Sequence, residues 1–441
     1  MANRPLLKRN FALGVANGAL YHFGIAILSP EVILPVYIAA LASMGGWEGA
    51  ANVLAGLLSM ILQLGWFLPQ LFVADLIQSK PYKLPIYRRA SVLRVSTLIL
   101  LIVMVWALGA DHPRLLIVAT ILLLGLYGVF GGISGSAFMD VVGKSIPPGM
   151  RGRFFGLRMF IGGLLGLVAG QIVRFIQGLG LPFPKDHLIL FALAASVLSI
   201  ALLCFSLVKE PPGIEGVRRV GVWRHLKRAP SILRTDRNFR RFTLVRLGFA
   251  FTAMSTPFFT LYAVRVLDVP PEMKGTFISI LALSGIISNP LWSYLSDKVG
   301  NRVVMIAGAG ALALSPVIPL ITRFIPSEGG GGILSLLRPL TSSENPVHNF
   351  YCLTFMTAGI GRMGYNIANL SYLLDISPEK ERPTYVGLMN TLTAPMMLIP
   401  MLGGYLIDLT AFEVVFAISA LSGFITMWLA SGLEGKPSPS I

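Results

Sequence analysis

Residues 275–324 read GTFISILALSGIISNPLWSYLSDKVGNRVVMIAGAGALALSPVIPLITRF. Two apolar runs, 275–296 and 303–324, meet at a short polar turn that carries Asp297, Lys298, Gly300 and Arg302. Each run has about the 20 residues that a helix needs to cross a ~30 Å hydrocarbon core, and so short a turn makes the two helices antiparallel neighbours. The same pattern recurs outward along the chain, at 11–42, 49–73, 90–109, 115–139, 154–178, 187–208, 242–266, 350–375, 384–408 and 412–433. Composition agrees, with 54% hydrophobic and only 13% charged residues, where a soluble domain carries roughly a quarter charged. The expected fold is an all-α membrane protein with about twelve transmembrane helices. The first run exceeds one perpendicular crossing, so tilt or a bend at Pro30 is expected.

Charge is distributed by connection. One alternate set holds Arg4, Lys8 and Arg9, then Lys80, Lys83, Arg88, Arg89 and Arg94, then Lys144, Arg151, Arg153 and Arg158. It continues with a basic stretch from Lys209 to Arg246, Lys298 and Arg302, Lys380 and Arg382, and Lys436. The other set holds only Arg114, Arg174, Lys185, Arg265, Lys274, Arg323 and Arg338. Because Lys and Arg stay on the cytoplasmic side, both termini are expected in the cytoplasm of a cell (plasma or inner) membrane, crossed an even number of times. The net charge of +16 then needs no nucleic-acid partner; it faces anionic lipid. The basic start followed by a long apolar run is a retained first helix rather than a signal peptide. Cys204 and Cys352 lie inside apolar runs and read as packing residues. No metal site or cofactor motif is visible.

The chain also repeats itself. Pro147-Pro-Gly-Met-Arg151-Gly-Arg-Phe-Phe-Gly156-Leu157 follows the fourth run, and Pro378-Glu-Lys-Glu-Arg382-Pro-Thr-Tyr-Val-Gly387-Leu388 follows the tenth. Pro, Arg, Gly and Leu match at one constant offset, which also carries Phe11 and Leu13 onto Phe242 and Leu244. The expected division is a six-helix bundle over 1–209, a basic cytoplasmic linker over 210–241, and a second six-helix bundle over 242–441. Val222, Trp223 and Leu226 stand at the spacing of a short amphipathic helix, with a solvated linker as the equal alternative. Residues 326–349, with four successive glycines from Gly329, read as an irregular outer loop.

With these residues in view, the chain resembles the major facilitator superfamily over essentially its whole length. That family's signature, Gly-x-Leu-x-Asp-Arg/Lys-x-Gly-Arg/Lys-Arg/Lys, joins helices 2 and 3 and recurs between helices 8 and 9. The second copy here is Ser293-Tyr-Leu295-Ser-Asp297-Lys298-Val-Gly300-Asn301-Arg302, with Ser293 and Asn301 as departures. The first copy keeps Asp75 and a basic cluster from Lys80 to Arg89 but loses the glycine and the spacing. The resemblance implies two pseudo-symmetric bundles with a solute site between them. It also implies a gating role for Asp297, Lys298, Gly300 and Arg302, for Asp75, and for Arg151 and Arg382. A solvated turn that only sets topology is the alternative for the two aspartates. Signatures of sugar porters, proton-coupled peptide carriers and drug/proton antiporters are missing, so motifs leave the solute unnamed.

Ionisable and polar groups within apolar runs are costly and point to function. Glu31 follows Pro30 and is a candidate proton carrier, or lies at the outer interface. His22 is a candidate switch or, more commonly, a neutral packing residue. Arg362 sits in the tenth run and requires a carboxylate, carbonyls or an anionic solute. Tyr365, Asn366 and Asn369 follow it, and Asn17, Gln171 and Asn390 are further polar groups; each reads a solute or ties helices together. The glycines over 128–135 and 162–170 serve close helix packing. Ser134, in Gly132-Ile-Ser134-Gly135, matches a rhomboid-protease motif by only four residues, and the repeat plan speaks against an enzyme. The expected function is secondary active transport of a small organic solute, with a proton or sodium as coupling ion, the proton favoured, and efflux slightly favoured. The alternatives are an uptake symporter for an anionic solute held by Arg362, and a non-transporting receptor or scramblase. The partners expected are the solute and the lipid bilayer, and the chain is expected to be a monomer.

Overall fold

The structure is a computed structural model and describes residues 4–78, 80–212, 231–326, 338–341, 343–378 and 382–435. Its helices are α1 (Arg4–Leu28), α2 (Ile33–Met44), α3 (Ala51–Gln78), α4 (Leu84–Leu108), α5 (Pro113–Ser145), α6 (Pro148–Gly178) and α7 (Lys185–Ser206). They continue with α8 (Arg237–Thr252), α9 (Phe259–Arg265), α10 (Met273–Lys298), α11 (Asn301–Thr322) and α12 (Arg338–Thr341). The last are α13 (Pro346–Ile376), α14 (Arg382–Thr393), α15 (Ile399–Leu409) and α16 (Phe412–Ser431). Among the described residues, 11 helical stretches are long and apolar enough to cross a membrane. The 31-residue α13 supplies the further crossing of the twelve-helix plan. The linker positions Val222, Trp223 and Leu226, and the side chains of Asp75 and Arg382, lie outside the described set.

Three crossings are broken, each for a local reason. The first, Pro5–Met44, divides into α1 and α2. Ser29 stands there at φ 32°, its hydroxyl accepts from the Val32 amide at 3.2 Å, and Pro30 has no amide to continue the ladder. The bend thus begins one residue ahead of the proline. In the seventh crossing a 3₁₀ turn at Ala253–Phe258, containing Pro257, separates α8 from α9. In the eleventh, a turn at Ala394–Leu398 with Pro395 separates α14 from α15.

The chain divides into two compact units. The first comprises Met1–Arg219 with Pro271–Ser279, the second Val220–Pro270 with Ile280–Ile441. In the first unit α1 packs on α6 and α7, and α5 on α3 and α4. Glycines set the α3–α5 crossing: a Cβ on Gly65 would lie 2.9 Å from the Gly125 carbonyl, and one on Gly132 would strike the Trp66 carbonyl. The helix backbones therefore touch, and dispersion between them replaces the hydrophobic drive that lipid does not provide. Phe11, Tyr87, Phe138, Phe154 and Phe205 fill the space toward the ends of α1, α4, α5, α6 and α7 in edge and tilted pairs.

In the second unit α11 packs on α13 and α16. Gly361 meets the backbone of Leu312 and Gly308, and the Trp292 indole donates to the Ile360 carbonyl at 3.0 Å. Asp236 caps α8 by accepting from the Phe239 amide at 2.8 Å, and its second oxygen accepts from Tyr385 Oη at 2.9 Å. One carboxylate thereby satisfies an orphan helix amide and ties α14 to α8.

A cationic, aromatic site in the first unit

Arg94 and Arg158 were counted above with the basic connections, and the structure corrects that placement. Arg94 lies about 15 Å along α4, and Arg158 a similar distance along α6, at 1.5 Å per residue. Both therefore sit within spanning helices.

Arg158 crosses to α1. Its Nη1 donates to Asn17 Oδ1 at 3.0 Å and to the Gly14 carbonyl. Asn17 is held in turn, because its Nδ2 donates to the Ala201 carbonyl of α7 at 2.7 Å and its side chain is buried. The guanidinium also lies over the Phe138 and Phe154 rings, 4.6 and 5.3 Å from their centroids. Space for it comes from Gly18, where a Cβ would stand 2.5 Å from Arg158 Cζ and Nε. One turn further out, His22 rests its Cβ on Gly162, and its side chain is exposed. Arg158 itself is half-buried.

Arg94 is enclosed. Only 3% of it is exposed, and its guanidinium lies 4.2 Å from the Tyr127 centroid, 5.1 Å from Tyr21 and 5.6 Å from Trp66. Nη2 donates to Tyr21 Oη at 2.8 Å, while Nε is buried without an acceptor. Gly131 and Gly135 on α5 form the flat seat of the Trp66 indole. Each ring returns about 0.5–2 kcal/mol, against several kcal/mol for taking a charge out of water. Among the described residues no carboxylate bonds to either guanidinium. Positions 17, 18, 21 and 22 of α1 thus bring together two arginines that the sequence separates widely.

The other expected residues distribute as follows. Glu31 is half-buried in the turn between α1 and α2, one residue beyond Pro30. Gln171, exposed on α6, donates to Ser279 Oγ at 3.2 Å, within the Pro271–Ser279 segment of the first unit. On α13 of the second unit Arg362 and Tyr365 are half-buried and Asn366 is exposed. Tyr365 packs on Phe249 at 4.2 Å, and Asn369 keeps a buried Oδ1 without a donor. Asn390 is exposed on α14. The Ser134 hydroxyl donates to the Gly131 carbonyl at 3.0 Å, within its own helix.

At the predicted cytoplasmic ends, Arg151 donates to the Gly143 and Ile146 carbonyls at 2.6 and 3.1 Å, closing the C-terminus of α5. Gly300 adopts φ 109°, a conformation glycine tolerates and side chains resist. Asn301 then reaches Asp375 on α13, with Nδ2 to Oδ2 at 2.7 Å, while Arg302 donates to the Ser431 carbonyl. Asp297 and Lys298 are exposed. A residue that sequence reading passed over is Glu210, whose side chain is 2% exposed. Its carboxylate accepts from the Lys83 and Leu84 amides, at 2.9 and 2.7 Å, capping α4, and from Lys144 Nζ at 3.0 Å.

Eleven candidate spans among the described residues, with α13 as a further crossing and three of the crossings broken, define a polytopic membrane protein. The family-wide sequence profile of the Major Facilitator Superfamily matches residues 187–337 and 265–440, and the chain belongs to that family. It is 24% identical over 196 residues to the multidrug resistance protein MdtG of Dickeya zeae (strain Ech586), a match spanning 42% of this chain and only 42% of that relative's length. In structure it is similar to the nucleoside transporter NupG, with a TM-score of 0.69 and 13% identity over 97% of this chain and 99% of that one. The D-xylose–proton symporter superposes with a TM-score of 0.68 and 14% identity, over 98% of each chain. At these identities the structural likeness establishes the fold.

Proposed function

We propose that this chain is a secondary active transporter that carries a small organic solute by alternating access of two six-helix bundles, with a proton as the coupling ion. It works as a monomer in the plasma or inner membrane, with both termini in the cytoplasm. The observation that supports this best is the cluster of Arg158, Asn17 and His22. Arg158 is half-buried and His22 exposed within helices long and apolar enough to span a membrane, where polar groups are costly and mark solute or ion paths. The breaks in the first, seventh and eleventh crossings favour the same reading, since interrupted helices line carrier sites.

The test is solute counterflow in proteoliposomes. Saturable exchange of a labelled solute found by thermal-shift screening is expected; authenticated binders without flux would favour a receptor or scramblase. Glu31 is the candidate proton carrier because it sits in a helix break of the first crossing. Glu31→Gln is expected to abolish flux driven by a pH gradient while leaving counterflow intact, and flux that follows a sodium gradient would reassign the ion.

Efflux of an amphiphile is a second reading, favoured by the partial likeness to MdtG and by the apolar character of the spans. Vesicles of known orientation separate it from uptake.

A further inference from the structure

The donors of Arg158 are unevenly used. Nη1 has two hydrogens, and the Gly14 carbonyl and Asn17 Oδ1 take both. Nε and Nη2 form the other edge of the fork, and among the described residues neither has an acceptor. That edge is the one whose two parallel N–H groups match a pair of oxygens on one acid group. An arginine placed only to tie α1 to α6 has no use for a second edge that lacks an acceptor. Asn17 also orients the group: its own amide is committed to Ala201, so its oxygen faces Nη1, and the Nε–Nη2 edge, with Nε packed beside Gly18, is left without an acceptor on α1.

The surroundings carry the same sign. Arg94 adds a second positive charge that is too enclosed to touch a solute and has no carboxylate bonded to it. Charges act further in an apolar interior than in water. Tyr21 hands Arg94 to α1 beside His22, so both cations abut one stripe of that helix. A cationic solute meets repulsion there, and a neutral one leaves both charges uncompensated. An anion repays them.

We propose that the transported solute is an organic anion whose acid group is held by the Nε–Nη2 edge of Arg158, with Arg94 as a buried positioning charge behind it. The inference rests on the carrier reading above and names the substrate class of that site. Lipid headgroups share the chemistry of an oxyanion, and the test separates the two sources.

The experiment is thermal unfolding of the full chain in lipid-free detergent with matched probes: benzoate against benzamide, salicylate against salicylamide, phenylphosphonate against its dimethyl ester, and benzylammonium. A separate arm adds dioleoyl phosphatidylglycerol. At least one acid is expected to stabilise the protein while its neutral partner and benzylammonium do not. Arg158→Gln is expected to weaken that acid about 10- to 100-fold, the worth of a charge-assisted pair of hydrogen bonds. Arg158→Lys, which keeps the charge and loses the fork, is expected to fall between. Since Arg158→Gln can fail to fold, the unliganded unfolding temperature of each variant is the control, and Arg158→Lys carries the test if Arg158→Gln does not fold. Equal stabilisation by amides or benzylammonium, indifference of the acids to both Arg158 variants, or no response to any acid would overturn the proposal. Stabilisation by phosphatidylglycerol alone would overturn it in favour of a lipid site. Counterflow of a neutral binder would sink the anion and keep the carrier; acid binding through Arg158 without counterflow would keep the anion site and sink the carrier.

Discussion

Arg158 and Asn17 face each other across α1 and α6 as cation and neutral amide, 3.0 Å apart, where an aspartate of nearly the same shape would make an ion pair. The neutral partner leaves the positive charge available. Asn17→Asp is therefore expected to keep or raise the unfolding temperature, since it pairs a poorly compensated guanidinium, and to abolish the stabilisation given by acids. Asn17→Ala is expected to cost about 1–3 kcal/mol, because it strips a buried hydrogen-bond network from Arg158 and the Ala201 carbonyl. Unfolding curves of the two variants with and without benzoate check both directions.

Gly18 makes the room that Arg158 occupies. A methyl there would stand 2.5 Å from Cζ and Nε, closer than atoms tolerate, so the guanidinium must move. Gly18→Ala is expected to destabilise by about 1–3 kcal/mol, as overpacking does. In an Arg158→Ala background the same substitution has nothing to strike, and its cost is expected to fall to a few tenths of that. A double-mutant cycle on unfolding temperature reads this coupling. Equal costs in both backgrounds would show that Gly18 serves helix packing alone.

Glu210 stands where α7 gives way to the linker and gathers two amides of the α4 N-terminus and the Lys144 ammonium. Lys144 also pairs with Asp140 at 2.6 Å. The buried carboxylate answers both the helix dipole and a neighbouring cation. Glu210→Gln is expected to cost about 1–3 kcal/mol. It removes the charge and turns one acceptor into a donor that faces other donors. Asp140→Asn, on a more exposed partner, is expected to cost less than half as much. Unfolding of the two variants measured side by side provides the check.

The sequence shows the crossings because each is a run of about 20 apolar residues, a signal that needs no tertiary information. It shows the turn at Gly300 because only glycine suits that backbone. The site is harder to see for a specific reason. Arg94 and Arg158 fall inside the apolar runs 90–109 and 154–178, yet a tally of positive charge by connection absorbs them into the neighbouring basic clusters. Depth was the missing variable: each lies about three turns inside its helix. Two further signals stand in the sequence, since the glycines at 18 and 131 are the positions that admit Arg158 and Arg94. Their pairing was not available, because α1, α4 and α6 are brought together by packing that no local pattern encodes. Glu210 was hidden likewise, as its partners are the amides of a distant helix start.

Asn301 replaces a basic residue of the family signature, and the structure explains what the departure does. Its Nδ2 donates to Asp375 at 2.7 Å while its Oδ1 accepts from Ser296 Oγ at 2.6 Å, so one amide serves as donor and acceptor at once. A lysine or arginine offers donors only and leaves the Ser296 hydroxyl to find another acceptor. Asn301 is buried, whereas Asp297 and Lys298 beside it are exposed. The link between α11 and α13 at this end therefore runs through the amide and Asp375. Asn301→Ala is expected to cost about 1–2 kcal/mol, because it leaves Asp375 and Ser296 without partners. Asn301→Arg restores the signature and can form an ion pair with Asp375, recovering stability despite the lost bond to Ser296. If the link also has to open during transport, that ion pair will slow counterflow, whereas Asn301→Ala will not. Unfolding temperature and counterflow rate measured on both variants separate the two roles: a stabilised, slowed Asn301→Arg marks the α11–α13 link as part of the gate, and unchanged rates in both variants confine it to folding.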